Sequence, residues 1–316
     1  MKNKRLVSVI MSVYNEKLEW LKESVDSILN QTYENIEFIV ILDNPENTVL
    51  KQTLEEYANM DHRIKLYINP KNMGLVNSLN FGLTKCDGEY IARMDADDVS
   101  ELDRFEKQMQ YLESNNIDFV FSGVECIDET SHSLYILGNG EYNFKKCKRL
   151  LETTNCSFHP TWFMKSDVYN ELNGYRQVHY CEDYDFSLRA LSKGYKIGKI
   201  DSVLLKYRVR SNSISRSYAL TQYLNMVEIL QLYKKNRLND IAELNRILKA
   251  NEKESIENNK EKYKNAEIEI MKITHLFSGK KYIKAMSNIV KMSLKNVYFR
   301  QKLTKSIKFK LINKFY

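Results

Sequence analysis

No stretch of this 316-residue sequence is apolar over the roughly 20 residues that a bilayer-spanning helix needs. The first apolar run, residues 6–14, contains Ser8 and Ser12, lacks a small-residue cleavage site and ends at Asn15 and Glu16. That pattern favours a β-strand over a secretory signal peptide. We therefore expect a chain that can touch a membrane surface but does not cross the bilayer.

Cysteine is scarce and irregularly spaced. The five cysteines, an odd number with no C-x-x-C pair among them, are Cys86, Cys126, Cys147, Cys156 and Cys181. Disulfide frameworks and structural zinc sites both depend on paired cysteines. We therefore expect a reduced, cytoplasmic protein without structural zinc.

The glycine-rich phosphate loops of two common nucleotide-binding classes are also absent. No G-x-G-x-x-G follows the first predicted strand, and no G-x-x-x-x-G-K-[ST] occurs anywhere. These absences argue against a dinucleotide-dependent oxidoreductase and a P-loop NTPase. If the chain binds a nucleotide diphosphate, a metal ion and cationic side chains must meet the negative charge instead.

Negative charge is unevenly distributed, and no acidic residue follows Glu269. Residues 1–216 contain 27 basic and 32 acidic residues, a net charge of −5. Residues 217–316 contain 21 basic and 9 acidic residues, a net charge of +12, and they are low in Gly and Pro and helical in pattern. We predict a domain boundary near residue 217.

Up to residue 95, apolar segments of strand length alternate with segments of helical periodicity. The four predicted strands are residues 6–11, 36–42, 64–68 and 89–93. This alternation predicts a doubly wound, largely parallel α/β sheet. Such sheets bind ligands beyond the carboxyl ends of their strands, so we expect Ser12, Asp43 and Asp95 to converge on one cleft.

Three carboxylates follow the fourth predicted strand: Asp95, Asp97 and Asp98. If the extended backbone persists to Asp97, the first two face one side of the strand and Asp98 faces the other. Crowded carboxylates are unfavourable unless a cation shares the site, and their hard oxygens suit Mg²⁺ or Mn²⁺. The alternative is an acidic loop that caps a helix starting near Ser100.

Taken together, four segments resemble the family 2 glycosyltransferases of the GT-A fold. They read VSVIMSVYNE at 7–16, SILNQTY at 27–33, GEYIARMDADD at 88–98 and EDYD at 182–185. The resemblance implies a catalytic domain with a mixed sheet and flanking helices at about 1–216. Its nucleotide-sugar half would be about 1–98 and its acceptor half about 99–216, followed by a helical basic extension at 217–316.

The resemblance implies that the first two strand ends hold the base and ribose of a UDP-sugar. The residues at those positions are Ser12, Tyr14, Glu16 and Asp43. Chemically, the Tyr14 ring can stack on a pyrimidine, and Asp43 can accept a hydrogen bond from a ring N–H. A half-buried packing role for Tyr14 and a turn-initiating role for Asp43 are the alternatives. Family members often carry two acids where this chain has Leu42 and Asp43.

Further positions follow from the same resemblance. Asn72 and Gly74 match a family loop that approaches the nucleotide, and Gly74 permits close backbone contact. Arg93 orients the acids or the ribose, or is only an ion-pair partner at the strand end. Asp95 contacts ribose or metal and Asp97 binds the metal directly. The Mn²⁺ or Mg²⁺ ion neutralises charge on the departing UDP.

The EDYD segment begins a predicted helix at residues 182–194. By resemblance Asp183 is the general base that deprotonates the acceptor hydroxyl during an inverting displacement, and Glu182 shares that duty or positions the acceptor. Acids in the first turn of a helix stay ionised because of the helix dipole. Plain N-terminal capping is the alternative.

The segment YRVRSNSISR at 207–216 matches a family segment that often reads Y-R-x-H-x-x-S-x-S and closes over the diphosphate. Arg210 stands at the usual His position, where a guanidinium can bind phosphate oxygens but cannot coordinate a metal. We therefore count Arg210 among the donor-binding residues and leave a third protein ligand to the metal open. A solvated basic loop is the alternative.

The acceptor half offers fewer signals. We predict a helix at 102–112, strands at 118–126 and 134–137, and an extended segment at 157–164. His159 before Pro160 is interpreted as structural and not catalytic. Trp162 fits either the core or a platform for an acceptor sugar, and the sequence does not choose.

Two apolar stripes mark the basic C-terminal region. They are Ile283, Met286, Val290, Leu294 and Val297, and then Leu303, Ile307 and Leu311. Lysines surround the second stripe, namely Lys302, Lys305, Lys308, Lys310 and Lys314. Residues 281–316 either rest on an anionic membrane surface or form a helical subdomain packed on the catalytic domain. No nucleic-acid partner is expected, because the aromatics form no regular stacking pattern.

Together these patterns indicate a metal-assisted inverting glycosyltransferase. It would transfer a hexosyl or N-acetylhexosaminyl group from a UDP-sugar to a glycan or lipid-linked glycan in bacterial capsule or surface-polysaccharide synthesis. We expect it in the cytoplasm, with peripheral contact at the inner membrane face as one interpretation. A non-catalytic nucleotide-sugar-binding protein and a sugar nucleotidyltransferase are the alternatives. Asp97 and Asp183 argue against the first, and the lack of a glycine-rich basic loop at 12–16 argues against the second.

Overall fold

The computed structural model of the protein describes residues 5–210, 217–254 and 257–315. The chain divides into two compact units. The first comprises Met1–Lys148, Cys156–Gln177 and Glu182–Ser213. The second comprises Arg149–Asn155, Val178–Cys181 and Ile214–Tyr316. The described residues do not include 211–216 of the YRVRSNSISR segment. The predicted boundary near residue 217 falls at the end of that gap and stays a prediction.

Between residues 5 and 210 the chain forms nine strands with seven α-helices between them. The strands are β1 (Val7–Val13), β2 (Ile36–Leu42), β3 (Ile64–Ile68), β4 (Tyr90–Asp95), β5 (Val99–Ser100), β6 (Phe119–Ile127), β7 (Ser133–Leu137), β8 (Phe163–Lys165) and β9 (Ile197–Arg208). The helices are α1 (Leu18–Leu29), α2 (Thr48–Met60), α3 (Leu75–Leu83), α4 (Arg104–Ser114), α5 (Phe144–Leu151), α6 (Ser166–Leu172) and α7 (Glu182–Ser192).

All nine strands belong to one mixed sheet. Its order is β3-β2-β1-β4-β8-β6-β9-β5, with β7 paired to β6. The first four strands in this order are parallel, which confirms the predicted doubly wound half. Strand β8 then runs antiparallel to both β4 and β6. The mixed sheet with flanking helices is the fold class that the sequence predicts.

Three strands of the parallel half, β1, β2 and β4, are almost entirely buried. Every residue of β2 is buried, and so is nearly all of β1. Helix α1 covers this layer with Leu21, Val25 and Ile28, spaced at helical intervals and fully buried. Burial on two faces explains why these strands read as unbroken apolar runs instead of alternating ones.

Two parts of the acceptor half differ from prediction. The segment predicted to be extended at 157–164 forms a 3₁₀ turn at His159–Thr161, and strand β8 begins only at Phe163. Proline restricts its own φ and removes a backbone donor, which favours a turn over a paired strand. Strand β9, the long strand next to β6, was not predicted.

The second unit is helical, as the sequence predicts. Its described helices are α8 (Ala219–Lys234), α9 (Ile241–Glu254), α10 (Glu257–Ser278), α11 (Tyr282–Lys295) and α12 (Val297–Phe315). Tyr223, Tyr263, Ala285 and Phe299 lie in its buried apolar cluster. Among the described residues no helix is long and apolar enough to cross a membrane.

Candidate active site

The strand register brings the carboxyl ends of β1, β2 and β4 together. Ser12 pairs with Asp95 across β1 and β4, and Val13 pairs with Leu42 across β1 and β2. The Asp43 N–H donates to the Val13 carbonyl at 2.7 Å. The predicted convergence of these polar residues at one edge of the sheet follows from this register.

Asp95, Asp97 and Asp98 form one cluster. Each contributes a carboxylate oxygen, and these atoms lie within 4.8 Å of one another. The expectation that Asp98 faces away from the other two is wrong, because β4 ends at Asp95 and strand alternation stops there. The capping interpretation is wrong as well: Val99–Ser100 is a strand, and α4 begins only at Arg104, with Asp103 preceding it.

Asp98 is the deepest of the three acids, at 1% exposure. Its Oδ1 accepts the Arg208 N–H at 2.8 Å, and its Oδ2 has no hydrogen-bond partner within the described part of the chain. Burial, and then the charges of Asp97 and Asp95, raises the pKa of Asp98 well above its ordinary value. An orphaned, buried carboxylate oxygen beside two other carboxylates is a position that either a cation or a proton would satisfy.

Two guanidinium groups partly offset the cluster. Arg93, almost fully buried, forms an ion pair with Asp95. The Arg210 Nε lies 2.9 Å from Asp97 Oδ2. Burial, followed by the charge of Asp95, nevertheless raises the pKa of Asp97 to about 7, while Arg210 lowers it. Arg93 and Arg210 are therefore part of the site, and the interpretation of Arg210 as a freely solvated loop residue is wrong.

Arg208 is a site residue that the sequence analysis did not single out. Its buried guanidinium donates from Nε to the Asp97 carbonyl at 2.8 Å and from Nη2 to Glu23 at 2.5 Å. Together with the backbone contact to Asp98, this ties the end of β9 to the acid-bearing loop. The available signal was its position between Tyr207 and Arg210 in a segment already considered functional.

The donor set of the cluster fits a hard divalent cation. Carboxylate oxygens are the ligands that Mg²⁺ and Mn²⁺ prefer. Three carboxylate oxygens, one from each of these aspartates, are grouped here. Asp95, Asp97 and Asp98 are the side chains that would hold such an ion. This adds Asp98 to the predicted pair.

Asp43 has a different role from that of a simple turn residue. Its buried carboxylate accepts hydrogen bonds from Asn69 Nδ2 at 2.7 Å, from the Met73 N–H at 2.7 Å and from the Gly74 N–H at 2.9 Å. It therefore shapes the loop of residues 69–74. A carboxylate can accept about four hydrogen bonds, so one acceptor position is left for a ligand.

The loop that Asp43 shapes contains the predicted Asn72 and Gly74. Asn72 Oδ1 accepts the Gly74 N–H at 3.0 Å, and Gly74 precedes helix α3 with φ +80°. A Cβ at Gly74 would meet no atom within 4 Å, so the backbone angle, and not close approach within this chain, requires glycine.

Tyr14 and Glu16 extend the site beyond the end of β1. Tyr14 is 47% exposed, which is compatible with stacking on a ligand and with the half-buried packing role, so its role stays a prediction. Its N–H donates to the Glu16 carboxylate at 2.8 Å. Burial raises the pKa of Glu16, and the charges of Arg210 and Asp95 also act on it, which places Glu16 near the acid cluster.

Glu182 and Asp183 occupy the first turn of α7. Burial, followed by the charge of Asp183, raises the pKa of Glu182 to about 7, and the charges of Arg93 and Asp95 also act on it. Glu182 therefore lies within electrostatic range of the acid cluster. Asp183 Oδ1 accepts the Tyr184 N–H at 2.7 Å, a local contact at the helix start that is compatible with capping and leaves its role as base a prediction.

His159 and Trp162 are core residues. Trp162 is fully buried against Phe119 and His159, which excludes an exposed sugar platform. His159 Nε2 lies 2.8 Å from the Tyr175 hydroxyl oxygen. Burial holds the pKa of His159 well below its ordinary value. His159 is structural, as the sequence analysis interprets it.

A mixed α/β sheet of this kind, with carboxylates at its parallel strand ends, has the architecture of the GT-A-like glycosyltransferases. Staphylococcus aureus TarS, solved in complex with UDP-GlcNAc, has the same fold: the TM-score is 0.57 at 17% identity, covering 72% of this chain and 66% of that chain. The family model described as Glycosyl transferase family 2 matches residues 8–172.

Curated relatives agree with this assignment. An uncharacterised glycosyltransferase of Methanocaldococcus jannaschii is 39% identical over 68% of this chain and 75% of its own length. The O-antigen biosynthesis glycosyltransferase WbnJ of Escherichia coli is 36% identical over 69% of this chain and 85% of its own. The amylovoran biosynthesis glycosyltransferase AmsE of Erwinia amylovora is 31% identical over 72% and 85%. The chain belongs to glycosyltransferase family 2.

Proposed function

We propose that this protein is an inverting, metal-assisted glycosyltransferase that moves a hexosyl or N-acetylhexosaminyl group from a UDP-sugar to a glycan or lipid-linked glycan. The observation that carries the proposal is the cluster of Asp95, Asp97 and Asp98 at the strand ends, with Arg93 and Arg210 beside it. The relatives named for O-antigen and amylovoran biosynthesis support a role in bacterial capsule or surface-polysaccharide synthesis.

The nucleoside end of the donor fits the ends of β1 and β2. Tyr14 offers an exposed aromatic face on which a pyrimidine can stack. Asp43 retains an acceptor position for a ring N–H, in a loop that it has already ordered. Ser12 lies beside Asp95 in the register and supplies a hydroxyl near the ribose. TarS, whose structure contains UDP-GlcNAc, supports a uridine nucleotide as the donor.

The diphosphate end fits the acid cluster. Asp95, Asp97 and Asp98 would hold Mn²⁺ or Mg²⁺, which as a Lewis acid supplies charge neutralisation for the leaving diphosphate. The Arg210 guanidinium can form a bidentate pair of hydrogen bonds with phosphate oxygens. Arg93, buried behind Asp95, keeps that carboxylate oriented toward the cluster.

The acceptor end fits the start of α7. Asp183 takes the proton from the acceptor hydroxyl as its oxygen attacks the anomeric carbon, and Glu182 positions the acceptor. A bond forms between the acceptor oxygen and the anomeric carbon. The bond from that carbon to the phosphate oxygen breaks, and its electron pair leaves with UDP. One displacement from the opposite face inverts the configuration.

The reaction class is tested by incubating the purified chain with a panel of UDP-sugars and Mn²⁺ and measuring UDP release. We expect release with one donor or a small set of donors, and stimulation by an added glycan acceptor. Binding of a UDP-sugar without UDP release on any acceptor would favour a nucleotide-sugar-binding protein. Release of pyrophosphate from a sugar phosphate and a nucleoside triphosphate would favour a nucleotidyltransferase.

We also propose that helix α11 contacts an anionic membrane surface. Four apolar side chains at helical spacing, each between 53% and 90% exposed, are Ile283, Met286, Val290 and Leu294. The opposite face of α11 packs inward through Ala285, so this second apolar face is not needed for the unit's own core. Exposed lysines flank it, namely Lys284, Lys291 and Lys295. An apolar stripe beside lysines suits the headgroup region of an anionic bilayer.

The second predicted stripe is less exposed as a whole, although Ile307 and Leu311 are each 51% exposed. Leu303 packs against the apolar cluster of the second unit. Lys302 donates to Glu267 at 2.5 Å and to the Tyr263 hydroxyl at 2.7 Å, and the Lys305 ammonium nitrogen is buried. Of the predicted range 281–316, α11 therefore supplies the better membrane surface.

Vesicle binding tests the α11 surface. We expect the Ile283→Ser, Leu294→Ser double variant to lose most of its binding to phosphatidylglycerol vesicles in a flotation assay, since it removes two of the exposed apolar side chains. Ile241→Ser is the matched control, because Ile241 is an exposed apolar residue of α9. Equal flotation of all three proteins, or equal binding to uncharged phosphatidylcholine vesicles, would contradict the assignment. Deleting residues 296–316 is a poorer test, because Tyr298 and Phe299 belong to the unit's core.

A further inference from the structure

The Arg210 guanidinium lies on the very carboxylate to which the proposed function assigns the metal ion. Its Nε is 2.9 Å from Asp97 Oδ2, within charge-assisted hydrogen-bond range. The Arg210 side chain is 29% exposed and that of Asp97 is 11% exposed. Arg210 therefore approaches the cluster from the solvent side and meets an acid that is mostly buried.

This approach is set by the end of β9. Arg208, two residues earlier, is buried. Its Nε donates a hydrogen bond to the Asp97 carbonyl, and its backbone N–H donates one to the Asp98 carboxylate. A third contact, from Arg208 to Glu23, ties the same strand end to α1. The backbone that carries Arg210 is therefore held beside the acids, and among the residues that the structure describes its guanidinium forms an ion pair with Asp97.

A guanidinium and a divalent cation make competing demands on one carboxylate. The guanidinium uses lone pairs of Asp97 that would otherwise face the metal, and two positive groups so close together repel each other. Each therefore weakens the binding of the other to Asp97. A phosphate group removes the conflict, because it gives the guanidinium a second anionic partner.

We propose that Arg210 is an internal counter-ion that competes with the divalent cation for Asp97 and transfers to the donor diphosphate when metal and donor bind together. The inference rests on the proposed function, which places the metal on Asp97. It makes metal and donor binding mutually reinforcing: the metal alone binds weakly, and each ligand strengthens the other by the same factor.

The test measures Mn²⁺ binding to the full chain, with no donor present, by the electron paramagnetic resonance signal of free Mn²⁺. We expect Arg210→Ala to bind Mn²⁺ roughly fivefold more tightly than the wild type, the equivalent of removing one partly exposed ion pair. Arg210→His is expected to bind more tightly still, since imidazole is itself a metal ligand. Added UDP should tighten Mn²⁺ binding more in the wild type than in Arg210→Ala.

Lys206→Ala is the matched control. Lys206 is a cation in β9, four residues before Arg210, and it pairs with Glu101 at 4.0 Å and not with the acid cluster. Its variant should bind Mn²⁺ like the wild type. Equal or weaker Mn²⁺ binding by Arg210→Ala would overturn the competition, and so would equal tightening by Lys206→Ala, which would reflect net charge alone. If no form binds Mn²⁺ even with UDP, the proposed metal site fails and the competition fails with it.

Discussion

We expect Asp97→Ala to abolish sugar transfer, lowering kcat/KM by about 1000-fold or more, and to remove the metal-dependent part of UDP binding. The expected size follows from the loss of a preorganised charge next to the leaving diphosphate, where electrostatic terms are largest. In the folded protein Asp97 is mostly buried beside Asp95, and its side chain holds Arg210 as well. Two measurements check this: transfer rates over a range of donor concentrations, which give kcat/KM, and UDP binding by calorimetry with and without Mn²⁺.

The control for this variant is Asp103→Ala. Asp103 is an exposed acid a few residues farther along the chain, paired with Lys107 and outside the cluster. It should retain transfer and metal-dependent UDP binding within about twofold, as expected for a surface ion pair. Full turnover by Asp97→Ala would remove Asp97 from the metal site. Equal losses in both variants would point to unfolding, which a thermal melt detects.

We expect Asp183→Asn to lower kcat by about 100- to 10,000-fold while leaving UDP-sugar binding nearly intact. The amide keeps the size of the side chain and can still accept the Tyr184 N–H, so the start of α7 is preserved. The amide cannot take a proton from the acceptor hydroxyl, so the rate of the chemical step should fall while donor binding is kept. Single-turnover transfer and donor affinity are measured separately.

Glu182 provides the comparison for this second variant. Since the charge of Asp183 helps to raise the pKa of Glu182, that pKa should fall in Asp183→Asn. Glu182→Gln should raise the KM for the acceptor more than it lowers kcat. If Asp183→Asn retains full turnover while Glu182→Gln loses it, Glu182 is the base and the assignment by resemblance is wrong.

The parallel half of the sheet was predictable from the sequence for a local reason. The observed ranges of β2 and β3, Ile36–Leu42 and Ile64–Ile68, coincide with the predicted strands. Strand β2 is buried on both faces and is therefore apolar at nearly every position, and in both strands the polar residues that follow mark the end. Neither signal depends on what the strand pairs with.

The acceptor half lacked such signals. Strand β9, Ile197–Arg208, contains Gly198, Lys199 and Asp201, and its polar residues break any apolar run. Lys199 is buried even so, because its ammonium group donates to the Gly138 carbonyl at 2.6 Å. What makes this segment a strand is its pairing with β6, whose paired residues lie 78 to 81 positions earlier in the chain, and no local pattern encodes that pairing.

The sequence by itself determined which residue types stand at the strand ends, and through its motifs the family to which the chain belongs. The tertiary structure alone decided how those residues are used. It turned Asp98 toward Asp95 and Asp97, placed Arg210 on Asp97 and joined Asp43 to the loop at Gly74. These contacts link residues as many as 113 positions apart, so they exist only after the sheet has assembled. Apolar periodicity acts along the chain, whereas charges and hydrogen bonds act through space between segments that folding brings together.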